Sequence, residues 1–503
     1  MTKLISFEEL KLIRSRFPQK KIVHCHGVFD LFHVGHLAHL ESAKKWGDLL
    51  VVTLTKDQYV NKGPGRPKYS HEQRAKMLAS MEIVDFVCIN LTPTAIEPIE
   101  ALKPDFYVKG PDYKDANKDL TGGISKEAAT VEKNGGKLVV TEDETMSSTS
   151  LLNEFFSLRD EEEKIALKKI KSEHSLSSIE PFINKFSDLK VLVIGEPIVD
   201  TYVFCKPDGI SSKSPTVSAN FMYQEDYAGG SLAIANHLNA LGCQTSLLIQ
   251  SGNESYFQKI LESAMHPEIE IHAEFYEGIP TPRKTRFLAP FRSQRMFELT
   301  ELKSDLWKIH QPDSFISKMI SLANKHDVVI IADFGHGLFE DEVLKSLSKI
   351  NSFKGLNVQT NSSNFGFNVF KKHQHFDYLS IDERELRIGQ NDRYQTPEKV
   401  LEDALNTGLK PPLSITLGTK GALYLDQELH SMTCPTFFKN VVDTTGAGDA
   451  YFAITTLLSY LRAPTSVVPF VGNCYAGLKT QIMGNKKAVS KVDLHRTIQS
   501  LLN

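Results

Sequence analysis

Residues 23–40, VHCHGVFDLFHVGHLAHL, crowd His24, His26, His33, His36, His39 and Cys25 into one short stretch. A metal centre needs three or four convergent N, S or O ligands, and no HExxH-like spacing accompanies these residues. The string His33-Val34-Gly35-His36 points elsewhere. It lies between a strand-like run ending in HGVFD and a helical run, LAHLESAKKWGD. A strand, a glycine turn and a helix N-terminus gather free N–H groups and the positive end of a helix dipole at one point. His33 and His36, three residues apart at that helix start, are placed to donate to phosphate oxygens. Gly27 and Gly35 let the backbone approach a ligand closely. His24, Cys25 and His39 read as structural side chains, and His26 stays open between a ligand contact and neutral variation.

A second string, DTTGAGDAYFA at 443–453, carries a different chemistry. A strand ending at Val442, a glycine-rich turn and an apolar helix are expected. Backbone N–H groups of Gly446, Ala447 and Gly448 would cradle a transferring phosphoryl group. Asp449 beside them would accept a proton from a hydroxyl nucleophile. No GxxxxGK[ST] string occurs, which excludes a P-loop kinase.

Both strings need α/β frameworks, and the chain supplies two. Short apolar runs at 21–27, 48–55, 83–89, 105–110 and 137–142 alternate with segments of helical period, which implies a parallel sheet with covered faces. The pattern pauses after about residue 150, where RDEEEKIALKKIKSEHSLSS (159–178) reads as a solvated linker helix. It restarts at 189–200 and continues through 327–335, 413–418 and 441–453. The polar, alternating stretch 281–302 is expected to form a small antiparallel lid on the second domain. Ser6 and Glu9 are spaced as a capping box on an N-terminal amphipathic helix. The expected organisation is a first domain over 1–155, a linker helix over 156–185 and a second domain over 186–503.

Bulk properties agree. A chain of 503 residues exceeds one ordinary domain of roughly 100–200 residues. Fifty-eight basic against 61 acidic residues give a net charge of -3, so neither nucleic acid nor an anionic membrane is expected as a partner. Six cysteines without a CxxC pair argue against a disulfide framework or a structural zinc, and fit a reducing cytoplasm. The start lacks a signal peptide's apolar core, and no apolar run approaches the roughly 18 residues of a membrane span.

GVFDLFHVGH resembles the GxFDxxHxGH signature of the cytidylyltransferase-like nucleotidyltransferases, whose likeness runs from about 20 to 155. HEQRAKML (71–78), DFYVKGPDY (105–113) and MSSTSLL (146–152) fall, in order, where that family keeps its other blocks. The resemblance implies a Rossmann-like fold in which a phosphate oxygen attacks the α-phosphorus of a nucleoside triphosphate and pyrophosphate leaves. It assigns Gly27, Phe29, Asp30 and Gly35 to the nucleotide pocket. His33 and His36 would stabilise the five-coordinate phosphorus. Lys62, Arg74 and Lys109 become candidate phosphate clamps, with a surface charge an equal reading for Lys62. Asp112 and the Ser147–Ser148–Thr149 run match nucleotide-contacting blocks.

DTTGAGD resembles the DTxGAGD motif of the ribokinase/PfkB sugar kinases, and other blocks agree over nearly all of 189–503. The resemblance implies a ribokinase-like α/β domain with a small β lid, ATP and Mg²⁺ as cofactors, and pairing of lids into a homodimer. Asp449 would be the catalytic base, with Thr445 and Gly446–Ala447–Gly448 at the anion hole. Asp200, Gly229, Gly230 and Asn236 would line the sugar pocket, and Lys284 and Arg286 would hold an anionic acceptor. Thr416, Gly418 and Gly421, in ITLGTKGALY, would flank the nucleotide. Three departures stand out: Asp382–Glu383–Arg384–Glu385 replaces an Asn-x-x-Glu block, Gln359–Thr360–Asn361 replaces an Asp-Pro-Lys-like string, and Glu196 stands where Asp is usual.

The two halves occur together in the bifunctional heptose kinase/adenylyltransferases, with the kinase first; here the order is reversed. The expected function is therefore synthesis of a nucleotide-activated sugar. ATP would phosphorylate a sugar or sugar phosphate such as heptose 7-phosphate, and a nucleotidyl group from ATP or CTP would pass to a sugar 1-phosphate. A heptose route needs a separate phosphatase between the steps. Two alternatives remain: a cytidylyltransferase for a polyol phosphate fused to another kinase, and a degenerate kinase half that acts as a regulatory scaffold.

Overall fold

The computed structural model describes residues 3–60, 66–110, 123–141, 160–211, 213–289, 294–302, 312–361 and 364–502. The chain divides into two compact units that part between Arg159 and Asp160.

The first unit is built on a six-stranded sheet whose ladders are all parallel. Its spatial order is Leu4–Ile5, Phe86–Asn90, Leu49–Thr55, Ile22–Gly27, Phe106–Lys109, Lys137–Val140. From Ile22–Gly27 the chain winds outward through Leu49–Thr55 and Phe86–Asn90, then returns to add Phe106–Lys109 on the other side. The reversal opens a crevice at the carboxyl ends of Ile22–Gly27 and Phe106–Lys109, where α/β folds of this topology hold ligands. Val23, Cys25, Val52, Leu54 and Val108 are buried, as expected of central parallel strands. The N-terminal helix Phe7–Lys11 starts at the Ser6–Glu9 capping box, but the strand Leu4–Ile5 precedes it.

The second unit carries a nine-stranded sheet in the order Glu270–Tyr276, Gln244–Gly252, Lys190–Gly195, Val328–Asp333, Phe353–Val358, Tyr378–Asp382, Leu413–Thr416, Ala422–Leu425, Ser431–Cys434. The ladders are parallel as far as Leu413–Thr416, and the last two strands turn back antiparallel. Gln359, Asp382 and Thr416 therefore stand at or just past the carboxyl ends of three adjacent parallel strands. Residues 435–442 form no strand, contrary to expectation. Val442 is half exposed and donates its N–H to Thr480 O at 2.9 Å, so this segment is tied to a helix end and not to the sheet.

The lid is larger than the sequence suggested. It is a four-stranded sheet in the order Gln294–Glu301, Arg283–Ala289, Pro197–Ile210, Val217–Gly230. The run at 189–200 does not stay in the main sheet: it breaks at Glu196, and the long strand Pro197–Ile210 leaves to pair with Arg283–Ala289 in parallel and with Val217–Gly230 antiparallel.

The linker reading also needs correction over 160–184. The helix Glu161–Glu173 buries Ala166, Leu167 and Ile170, and Glu163 pairs with Lys439 at 3.2 Å. The helix Leu176–Asn184 likewise buries Ile179 and Ile183. Both belong to the second unit, because an apolar stripe runs beneath the charges.

Candidate functional sites

In the first unit, the strand Ile22–Gly27 ends beside a tight turn in which Phe29 adopts a φ of 49°. The helix Val34–Lys44 then starts at His33, whose Nδ1 accepts the N–H of Gly35 at 3.1 Å. The His33 and His36 rings stack at 4.0 Å, and Phe29 and Phe32 flank His36 at 5.3 and 5.5 Å. Two imidazoles thus stand together at a helix N-terminus, where dipole and side chains favour an anion. A Cβ on Gly27 would lie 3.1 Å from the Phe29 ring, so glycine lets that ring fold back over the strand end.

Other histidines of the cluster are held by hydroxyls. His24 Nε2 and His26 Nδ1 both meet Thr53 Oγ1, at 2.7 and 2.8 Å, and His26 Nε2 reaches Thr55 Oγ1 at 3.3 Å. Burial, helped by the charge of Lys109, pushes His26 down to about 3, so it is neutral. His39 Nδ1 lies 3.3 Å from Thr141 Oγ1. Among the described residues no three His, Cys, Asp or Glu side chains converge as a metal site.

Two assignments in this unit change. Arg74 is no phosphate clamp: it is fully buried and donates to the carbonyls of Tyr69, Val28 and Thr55 and to Asp57. It ties the helix His71–Ala79 to the strand ends. Asp30 is buried, pairs with Arg66 and accepts the Lys68 N–H at 2.6 Å, so it holds residues 66–68 in place. Lys109, at the crevice, is buried and pairs with Glu127 at 3.1 Å. Lys62, Asp112, Ser147, Ser148 and Thr149 lie outside the described residues.

In the second unit, Gly446 caps the helix Ala447–Tyr460 with a φ of 76°. A Cβ there would lie 2.5 Å from Asn485 Oδ1, so both conformation and space require glycine. The Ala447 N–H turns to Thr444 O at 3.2 Å, which narrows the expected cradle to Gly446 and Gly448. Asp449, in the first helical turn, accepts from Gln359 Nε2 at 2.9 Å. Burial raises the Asp449 carboxyl to about 6; the charge of Asp200 adds to this, while Gln359, Lys284 and Lys479 oppose it.

A cavity of about 220 Å³ opens in front of Asp449, lined also by Gln359, Asp382, Glu385, Thr416 and Gly448. Asp382 caps the helix Glu383–Gln390 and accepts from Thr416 Oγ1 at 3.2 Å. Glu385 accepts the N–H groups of Thr360 and Asp382 at 2.9 and 3.2 Å. Burial raises both carboxyls, Glu385 to about 8 with the charges of Asp382 and Asp449 contributing. Two carboxyl groups on a cavity whose lining holds no basic side chain would, once ionised, suit a hard divalent cation. Gly418 and Gly421 turn the chain after Leu413–Thr416, with φ of 59° and 98°.

The sugar side is partly rearranged. Asp200 lies against Gly229, where a Cβ would meet Asp200 Oδ2 at 2.4 Å. Arg286 pairs with Asp200 at 2.5 Å and with Glu298 at 2.9 Å, so it neutralises its expected companion. Lys284, the register partner of Asp200, contributes its charge near Asp449 and His336. Asn236 does not join them: its amide bonds Ala264 O at 2.8 Å and the His266 N–H at 3.0 Å, fastening a distant loop. Gly230 caps the helix Ser231–Ala240 with a φ of 58°. Glu196 is also structural, accepting the N–H groups of Phe334, His336 and Leu338 at 2.7–3.0 Å.

Sequence reasoning missed the residues that brace the glycine turn. Asp443 accepts from Tyr202, Arg295 and the Thr445 and Gly484 N–H groups. Through Thr445 Oγ1, which donates to Asp443 at 2.9 Å, the Thr445 side chain serves this brace. Lys479, fully buried, donates to Thr445 O and Gly484 O, each at 2.7 Å. A lone lysine at the end of an apolar helix, VVPFVGNCYAGLK, was the available signal.

A doubly wound sheet whose strand ends converge on a glycine turn and a buried carboxylate defines a phosphoryl-transferring α/β protein. Residues 188–458, just over half of the chain, match the pfkB family carbohydrate kinases, and the chain belongs to that family. Residues 24–155 match the cytidylyltransferase-like family, so a nucleotidyltransferase-type domain precedes the kinase-type domain. Bifunctional protein HldE of Campylobacter fetus is 47% identical over 113 residues, covering 22% of this chain and 24% of that protein. Bifunctional protein HldE of Helicobacter hepaticus is 42% identical over 123 residues, covering 24% and 25%. The chain thus matches about a quarter of the length of these curated relatives. Phosphofructokinase-2 from Escherichia coli, in complex with fructose-6-phosphate, shares the fold with a TM-score of 0.50 at 13% identity, covering 62% of this chain and 99% of that one. Among the described residues no helix is long and apolar enough to cross a membrane.

Proposed function

We propose that the chain is a bifunctional transferase of nucleotide-activated sugar synthesis. The observation that carries the kinase half is the buried Asp449 carboxylate beside the Gly446–Gly448 turn, facing a cavity lined by Asp382, Glu385 and Thr416. Asp449 takes the proton of the acceptor hydroxyl as that oxygen attacks the γ-phosphorus of ATP, and ADP leaves. Amides of the turn and the helix N-terminus stabilise the charge on the transferring group. Asp382 and Glu385 would hold Mg²⁺, which when bound neutralises phosphate charge. In the first unit, His33 and His36 stabilise the α-phosphoryl group while a sugar phosphate oxygen attacks it and pyrophosphate leaves.

Heptose 7-phosphate is the proposed kinase acceptor, with Lys284 proposed to hold its phosphate, and ATP the proposed nucleotidyl donor ahead of CTP. A homodimer formed through the lids is supported by exposed Ile210, Val217, Phe221, Met222 and Phe297 on lid strands. One observation favours a second reading, a kinase half that binds a sugar nucleotide without phosphorylating it: Arg286 already neutralises Asp200. A mass-spectrometric screen of hexose and heptose phosphates with ATP and CTP separates the two. A phosphorylated heptose 7-phosphate and a nucleotide-linked heptose support the proposal. Nucleotidyl transfer with no sugar phosphorylated supports the second reading.

A further inference from the structure

Lys479 lies under the phosphoryl cradle, and the reaction as outlined does not use it. It ends the helix Val467–Lys479, none of its surface reaches solvent, and its ammonium donates to Thr445 O and Gly484 O at 2.7 Å each. Thr445 directly precedes Gly446, and a Cβ on Gly446 would lie 3.3 Å from Lys479 Cε. Gly484 in turn donates its N–H to Asp443 Oδ2 at 2.8 Å. Two carbonyl oxygens from separate loops, with a buried carboxylate bonded to both of those loops, form an oxygen cage suited to a small monovalent cation. Burying an ammonium is costly unless such groups compensate it.

We propose that Lys479 is a built-in monovalent cation: a positioning residue that locks the Thr445–Gly446 turn and keeps positive charge beneath the cradle, so that phosphoryl transfer requires no monovalent salt. The inference rests on the kinase reading above. Burial lowers the lysine to about 8, while Asp443, Asp449 and Asp200 favour its charge.

The test uses the full chain, wild type and Lys479→Ala, in tetramethylammonium buffer against potassium or ammonium chloride at equal ionic strength. Melting temperature and ATP-dependent sugar phosphorylation are both read. The wild type should respond to none of these salts specifically in either readout. Lys479→Ala should lose about 10²–10³-fold in kcat with little change in KM. Ammonium or potassium should restore at least about tenfold of that loss and raise the variant's melting temperature, whereas tetramethylammonium should not. Lys479→Gln, which keeps an N–H donor without charge, should fold if the alanine variant does not, and should lose kcat without rescue. A wild type that depends on added potassium overturns the inference. So does a Lys479→Ala protein with wild-type kcat, or one that no cation stabilises. If no sugar is phosphorylated by the wild type, the kinase reading fails, and the cation-specific melting shift still decides the cage.

Discussion

Gln359 donates from one amide nitrogen to Asp449 at 2.9 Å and to Asn357 at 3.0 Å, so a neutral side chain holds the candidate base in place. That bond favours the ionised carboxylate, against the burial that raises it. Replacing Gln359 with Leu removes the opposing contribution and leaves the burial. The acid limb of the phosphorylation profile should then move to higher pH, with a lower kcat at neutral pH. Steady-state kcat measured across pH checks this, and an unmoved acid limb would refute the role.

The wild-type pH profile follows from two groups of opposite sign. Asp449 must be ionised to accept a proton, so activity falls as pH drops through about 6. Lys479, faced by Asp443, Asp449 and Asp200 and near His237, must stay charged, so activity falls again as pH rises through about 8. A plateau between these values is expected, and Lys479→Gln should lose the alkaline limb while keeping the acid one.

Arg74 offers a contrast between holding a fold and holding a phosphate. Arg74→Met removes the fully buried guanidinium that bonds the carbonyls of Tyr69, Val28 and Thr55, while Asp57 keeps its bonds from His71, at a cost of about 2–4 kcal/mol to the first unit. Denaturant unfolding should show that loss, while KM for the nucleotide at low temperature stays near wild type. A large rise in KM with unchanged stability would restore Arg74 as a clamp.

The chemistry-bearing strings were legible because each combines glycine, a helix start and a polar side chain in consecutive residues, and local geometry follows from such runs. The central strands were legible for a similar reason: parallel strands buried on both faces read as unbroken apolar runs, as at Leu49–Thr55. The lid strand Val217–Gly230 was not. Most of its first ten residues are exposed on both faces, so no period-2 pattern marks it. Nor does residue type separate Arg74, buried in a cage of carbonyls, from Lys284, which stands beside the site. Asn236 and Glu196 sat in motif positions, yet distant loops that no local pattern reveals claimed their hydrogen bonds. Asp443 and Lys479 were missed for the converse reason, since they meet only after the chain folds.

The two-site account is tested most directly by assaying Asp449→Asn and His36→Ala, each as the full chain, for sugar phosphorylation and for pyrophosphate release. Asp449→Asn should lose phosphorylation by about three orders of magnitude and keep pyrophosphate release, given the size of general-base and positioning effects. His36→Ala should do the reverse. Equal loss of both activities in either folded variant would contradict two separate sites.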